Sequence, residues 1–116
     1  MPGIVFFGTE SHDEVVDFYV DTIGATVWLE QPDCTILQYD NQLLGFCERE
    51  TADTEGTITF VVDTKEAVDT LYRRLTHVAD GEPTENERYR IYQCFGTDPE
   101  GRTIEIQTFL HETEPV

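Results

Sequence analysis

The chain repeats one short pattern. Glu14-Val-Val-Asp17, with a helix-like tail to Ile23, is matched 52 residues later by Glu66-Ala-Val-Asp69 with a similar tail to Leu75. Each copy follows an apolar strand-like run, Ile4 to Phe7 and Ile58 to Val62. Each precedes extended segments that end in a second apolar run, Leu43 to Cys47 and Thr103 to Gln107. Both halves therefore read as strand, helix, strands, and two copies of one supersecondary unit constrain the fold more tightly than any single motif. Neither half is long enough to bury a core alone. The 116 residues read as one domain built of two modules, 1–50 and 56–110, with an acidic tail at 111–116.

In the first helix Val16, Tyr19, Val20 and Ile23 fall at i, i+3, i+4 and i+7, one apolar face, with Thr9 or Ser11 as cap and Gly24 as stop. Thr26 to Glu30 and Thr35 to Tyr39 read as strands around the Gln31-Pro32-Asp33 turn, and Asp40-Asn41 turns the chain into Leu43 to Cys47. The second copy repeats the order: strand Thr57 to Val62, cap at Asp63 or Thr64, and a helix with Val68, Leu71 and Leu75 on one face. A polar stretch, Ala79 to Glu87, then leads to strand Tyr89 to Phe95, the turn Asp98-Pro-Glu-Gly101 and strand Arg102 to Phe109.

The formal net charge is −17, and of the seven basic residues one is a lysine, Lys65. The acid is spread along the chain, which points to a solvated shell adapted to a salt-rich cytoplasm, as in a halophile; the alternative is a surface for a basic partner. Nucleic acid and anionic membrane are excluded as partners, because their binding rests on Lys and Arg neutralising phosphate. No stretch has the length of a membrane helix and no leader is visible, so the expected location is cytoplasmic. Cys34, Cys47 and Cys94 are odd in number, with no Cys-x-x-Cys pair. They read as small apolar side chains on strands rather than a disulfide framework.

The order of elements, Phe18-Tyr19 before Ile23-Gly24, and above all Asp98-Pro-Glu-Gly-Arg-Thr-Ile-Glu-Ile106 resemble the vicinal oxygen chelate superfamily, which includes glyoxalase I, bleomycin-resistance proteins and extradiol dioxygenases. The resemblance covers residues 3 to 109. It implies an α+β fold, two tandem βαβββ modules whose strands curl into a half-open, U-shaped barrel around a ligand cleft. Metal-dependent members take one ligand from the first and one from the last strand of each module, typically His, Gln or Glu. Carried over residue by residue, the resemblance places Glu105 at the second module's last-strand position. The other three positions fall on Ile4, Gly45 and Thr57, none of which suits a metal. No His, Glu or Gln occurs from residue 1 to 8 or from 57 to 62, so a slip of register changes nothing. A catalytic metal needs about three protein ligands. The expected metal site is therefore absent, and no cofactor is expected. A substitute site from His12, Glu48, Glu105 and His111 is conceivable, but the three histidines, His12, His77 and His111, read as surface residues.

Glu105 lies between Ile104 and Ile106, which an alternating strand turns the other way. It is a catalytic candidate as general base, or a ligand anchor; the plainer reading is a relic carboxylate paired with Arg90, Arg102 or Tyr92. Alternation puts Thr57, Thr59, Thr103 and Gln107 on its face, while Trp28, Tyr39 and Tyr92 would frame the cleft with aromatic walls.

Three functions fit. The first is a metal-free member of the superfamily that binds a small organic molecule, as in the bleomycin-resistance branch. The second is a lyase, isomerase or dioxygenase acting on a small carbonyl or catechol-like compound through Glu105, with or without a substitute metal. The third is a protein-interaction domain. A homodimer is expected, since closed two-fold symmetry covers exposed sheet edges. Salt tests the reading of the charge. The melting temperature should climb as added KCl shortens the Debye length from about 10 Å to about 3 Å, with light scattering in molar salt giving twice the 13.3 kDa chain mass. A flat melting curve would favour a fixed acidic partner surface, and a monomer would remove the dimer.

Overall fold

The structure, a computed structural model, describes residues 2–116; Met1, the first residue of the expected first module, lies outside them. The fold is α+β, with two βαβββ modules. The chain divides into two compact units, Met1–Glu55 with Asp98–Arg102, and Gly56–Thr97 with Thr103–Val116.

In the first unit β1 (Ile4–Thr9) leads to α1 (His12–Asp17), which passes into a π-helical segment, Phe18–Ile23. Then come β2 (Thr26–Gln31), β3 (Cys34–Tyr39) and β4 (Gln42–Glu48), in the sheet order β1-β4-β3-β2. β1 runs parallel to β4, and the other pairs are antiparallel. Ser11 occupies the N-cap without a side-chain cap; instead its carbonyl accepts from the Val15 N–H, and Thr9 Oγ1 accepts from the Ser11 N–H at 3.1 Å. The helix closes where the N–H groups of Gly24 and Ala25 both reach the Tyr19 carbonyl, with Gly24 at φ 98°. The buried residues correct the expected stripe: they are Val15, Phe18, Tyr19 and Ile23, rather than Val16, Tyr19, Val20 and Ile23. Tyr19 stacks on Phe46 of β4 with centroids 5.0 Å apart, and Phe46 stacks on Phe7 of β1 at 5.7 Å.

A second correction concerns sulfur. Cys34 and Cys47 stand directly opposite each other in the β3–β4 register and are joined by a disulfide, while Cys94 is free and buried. The hairpin turn at Asp40, with φ 52°, folds 13 residues of chain back so that the two cysteines meet. Spacing along the sequence had concealed this.

The second unit holds β5 (Thr57–Val61), α2 (Lys65–Leu75), β6 (Thr84–Asn86), β7 (Ile91–Thr97) and β8 (Thr103–Phe109), in the equivalent order β5-β8-β7-β6. Thr64 caps α2, its Oγ1 accepting from the Ala67 N–H at 3.0 Å, and the buried side of the helix is Val68, Leu71 and Leu75. β6 lies inside the stretch expected to be a polar connection. Its three residues carry no apolar alternation; pairing with β7 and an ion pair between Glu85 and Lys65 hold it.

The turn between β7 and β8 belongs to the first unit. Asp98 Oδ1 accepts from the N–H groups of Glu100 and Arg102, and Gly101, at φ 88°, completes the reversal. Asp98 Oδ2 accepts from the Tyr19 hydroxyl at 2.7 Å and from Arg102 at 3.1 Å. Arg102 also donates to Glu100 at 2.9 Å and to the Gly8 carbonyl at 2.7 Å. Burial pushes the Glu100 carboxyl up, but the Thr9 hydroxyl, the Glu10 N–H and Arg102 together hold it below the usual glutamate value. A depressed carboxyl stabilises the fold above its unfolded value, about 4.3, and that contribution is lost as pH falls through the folded one. The melting-temperature difference between wild type and Glu100→Gln should therefore be largest near neutrality and shrink as the pH is taken to about 3. A difference independent of pH would mean that the charge on Glu100 contributes nothing.

Candidate functional site

The face of the second sheet opposite α2 gathers the polar residues. β5 and β8 run parallel with Thr57 beside Thr103, Thr59 beside Glu105 and Val61 beside Gln107. On the other side of β8, β7 places Phe95 beside Glu105 and Gln93 beside Gln107. Alternation sends Ile58, Phe60, Ile104 and Ile106 to the opposite face, where they are buried. Glu105, 9% exposed, accepts a hydrogen bond from Thr59 Oγ1 at 2.7 Å. None of the expected ion-pair partners is paired with Glu105 among the described residues. Arg102 is bound to Asp98 and Glu100, and Arg90 sits in a turn at φ 56°. Next to the carboxylate, Oε1 of Gln93 and of Gln107 are buried and have no hydrogen-bond partner among the described residues. Glu105 therefore leads a strip of acceptors (one carboxylate and two amide oxygens) with the exposed rings of Phe95 and Phe109 on the same face.

Thr57, Thr59, Thr103 and Gln107 thus share the face of Glu105, whereas the aromatic residues expected beside them do not. Tyr92 pairs with Thr108 on the α2 side of the sheet and donates its hydroxyl to Asp69 at 2.7 Å. That bond, with burial and the Asp69 charge, pushes the Tyr92 phenol up to about 12. Trp28 and Tyr39 belong to the first module. Trp28 sits at the β2 bulge, 42% exposed, and Tyr39 is opposite Gln42, in the alternation set of Phe46 that faces α1. Gln93 and Phe95 went unnoticed in the sequence, although their alternation with Cys94 and Gly96 was the signal that marks them.

The strand registers also correct the alignment of the ligand positions. The opening-strand residue beside Gly45 is Phe6, not Ile4, and the one beside Glu105 is Thr59, not Thr57. The four equivalent positions are Phe6 and Gly45 in one module, Thr59 and Glu105 in the other. A Cβ on Gly45 would lie 2.3 Å from Cδ1 of Phe6, so that ring occupies the space a side chain at 45 would need. One carboxylate, one hydroxyl, a phenyl ring and a glycine do not fit a divalent metal. Among the described residues no group of three His, Cys, Asp or Glu is placed to hold a metal ion.

Two open cavities lie in the first unit. One, of about 620 Å³, is lined by His12, Glu14, Glu30, Asp33, Cys34 and Glu48 among others, with His12 Nε2 bonded to Thr35 Oγ1 at 2.8 Å. The second, of about 590 Å³, is walled by Phe6, Gln31, Cys34, Cys47, Arg49 and Asp53 among others.

The clash at Gly45 can be measured. Forcing a methyl group against the Phe6 ring costs about 1–3 kcal/mol, so Gly45→Ala should destabilise wild type by that amount and cost far less in a Phe6→Ala background. Equal costs in the two backgrounds would show that the ring does not fill that space.

No protein-family model matches the sequence, and no curated protein matches it. Solved structures do. A glyoxalase/bleomycin resistance protein/dioxygenase family enzyme from Burkholderia phytofirmans PsJN is 25% identical, with a TM-score of 0.80 over 92% of this chain and 97% of its own. Lactoylglutathione lyase from Agrobacterium tumefaciens is 18% identical, with a TM-score of 0.76 over 93% of this chain and 92% of its own. A glyoxalase/bleomycin resistance protein/dioxygenase from Nocardioides is 15% identical, with a TM-score of 0.75 over all of this chain and 87% of its own. These neighbours include glyoxalase/bleomycin-resistance/dioxygenase proteins, and this chain has their fold.

Proposed function

We propose that the chain is a metal-free member of that superfamily that binds a small organic molecule against the strip of Thr59, Gln93, Glu105 and Gln107. The observation that carries this reading is the pair of buried, unpartnered amide oxygens of Gln93 and Gln107 beside a carboxylate held by one hydroxyl. Buried acceptors left unsatisfied cost free energy, and a ligand carrying N–H or O–H donors would remove that cost. Phe95 and Phe109 offer such a ligand apolar area on the same face. The chemistry favours a neutral or cationic molecule with several donors, in keeping with the net charge of −17. The acid-rich surface fits a salt-rich cytoplasm. Edge strand β2, with Val27, Trp28 and Leu29 exposed, supports a homodimer.

A second reading keeps Glu105 as a metal-free acid or base in a lyase, isomerase or dioxygenase. Its favouring observation is the single short hydrogen bond from Thr59, which leaves the other carboxylate oxygen free for a proton. A third, an acidic protein-interaction domain, rests on the charge alone.

Protein purified without chelators should carry far less than one Zn, Ni, Fe or Mn per chain. A screen of donor-bearing aromatic fragments by NMR should shift the amides of Thr59, Gln93, Phe95, Glu105 and Gln107 together. Glu105→Gln should weaken the best fragment about tenfold, the cost of one charge-assisted hydrogen bond. Stoichiometric metal that disappears in Glu105→Ala would overturn the metal-free reading, and fragments clustering elsewhere would overturn the site.

A further inference from the structure

The disulfide between Cys34 and Cys47 has a setting unlike that of a buried staple. Both residues wall the 590 Å³ cavity, and Cys34 also lines the 620 Å³ one. Cys34 is partly exposed whereas Cys47 is 6% exposed, so an incoming group meets Cys34 first. The bond joins residues that backbone pairing already holds opposite each other. The β3–β4 register continues from Cys34–Cys47 to Tyr39–Gln42, and the Glu48 N–H donates to the Asp33 carbonyl at 2.8 Å. Opening the bond therefore leaves the hairpin in place. Reactivity, more than packing, decides what such a pair does.

We propose that Cys34–Cys47 is a thiol–disulfide exchange site whose co-reactant is a small uncharged or cationic thiol. The charge around it selects the thiol. Asp33 adjoins Cys34, Glu48 adjoins Cys47, and Glu14 and Glu30 line the same cavity as Cys34. The attacking species is a thiolate, so a thiol with an added carboxylate approaches as a dianion against that field, whereas one with an ammonium group approaches as a neutral zwitterion. The second cavity, where Cys47 leaves, is lined by one cation, Arg49, and one carboxylate, Asp53.

The exchange runs in two steps. A first thiolate attacks Cys34 Sγ, forming a mixed disulfide and releasing Cys47 as a thiolate that takes up a proton. A second thiolate attacks the outer sulfur of the mixed disulfide, releasing the small disulfide and the Cys34 thiolate, which is protonated in turn. Two small thiols are oxidised to one disulfide and the protein pair is reduced to two thiols. Cys94 stays apart: it is 4% exposed, and burial, followed by the Asp69 charge, pushes its thiol up to about 11.

The native full-length chain can be treated with cysteamine, 2-mercaptoethanol or mercaptoacetate, quenched, unfolded and alkylated, and its labelled cysteines counted by mass spectrometry. Before treatment one cysteine should label; afterwards all three should. The far-ultraviolet dichroism should not change. With each rate normalised to that thiol's rate on a neutral small disulfide, cysteamine should outpace mercaptoacetate on the order of tenfold at about 0.1 M KCl, falling to about threefold or less at about 1 M. Three labelled cysteines before any thiol is added would overturn the proposal. A bond that resists all three thiols until the chain is unfolded would do the same, as would loss of the folded spectrum on reduction. Equal normalised rates at low salt would overturn the charge selection.

Discussion

Arg102 is the charge around which the first unit is assembled. Its side chain is 1% exposed and that of Asp98 is fully buried, so both ions have left water. Removing such ions from solvent costs several kcal/mol each, and only near-complete pairing offsets it. The pairing here is nearly complete. Asp98 takes the Tyr19 hydroxyl, the Arg102 guanidinium and two backbone N–H groups, and Arg102 directs its remaining donors to Glu100 and the Gly8 carbonyl. The faces of Phe7 and Phe46 lie 5.5 and 5.4 Å from the guanidinium carbon. Among the described residues Nε lacks a partner. Burial opposes the charge on Arg102, yet hydrogen bonds and charge from Asp98 and Glu100 prevail and raise its pKa. Burial, then Asp98, pushes the Tyr19 phenol the same way, which keeps it a neutral donor. The buried position of Tyr19 and the positive φ of Gly101 are both conditions of this arrangement.

The two modules share topology while their equivalent residues have diverged in opposite directions. Where one sheet brings Phe6 beside Gly45, the other brings Thr59 beside Glu105. A ring over a glycine fills space; a hydroxyl against a carboxylate holds a polar group ready. The same strand geometry thus supplies packing in one module and acceptors in the other. Phe6 and Gly45 offer no metal-ligand atom at these positions, and Thr59 and Glu105 offer one hydroxyl and one carboxylate.

The acid-rich surface and the disulfide meet in one region. Acidic side chains around the cavities hinder approach of anions, and the cross-strand bond places sulfur where a small molecule can reach it. The core rests on Tyr19, Phe46, Ile36 and Leu37 in the first unit and on Phe60, Val68, Leu75, Ile104 and Ile106 in the second.

Periodicity and the internal repeat determined the order of the elements other than β6 and the apolar side of α2, because these depend on local spacing that a chain carries with it, and the family resemblance implied the α+β class. Alternation on β8 also determined that Glu105 shares a face with Thr103 and Gln107. Whatever depends on which strand lies beside which was decided only by the tertiary structure. The register that sets Thr59, not Thr57, against Glu105 is of this kind, as are the Cys34–Cys47 bond and the bonding of Arg102 to Asp98 and Glu100 rather than to Glu105. So is the short strand β6, whose three polar residues carry no pattern and are held by a neighbour. A sequence fixes the direction in which each side chain leaves its own strand, but a slip of one or two residues between strands exchanges partners without altering that pattern, and packing across the sheet is what selects the register.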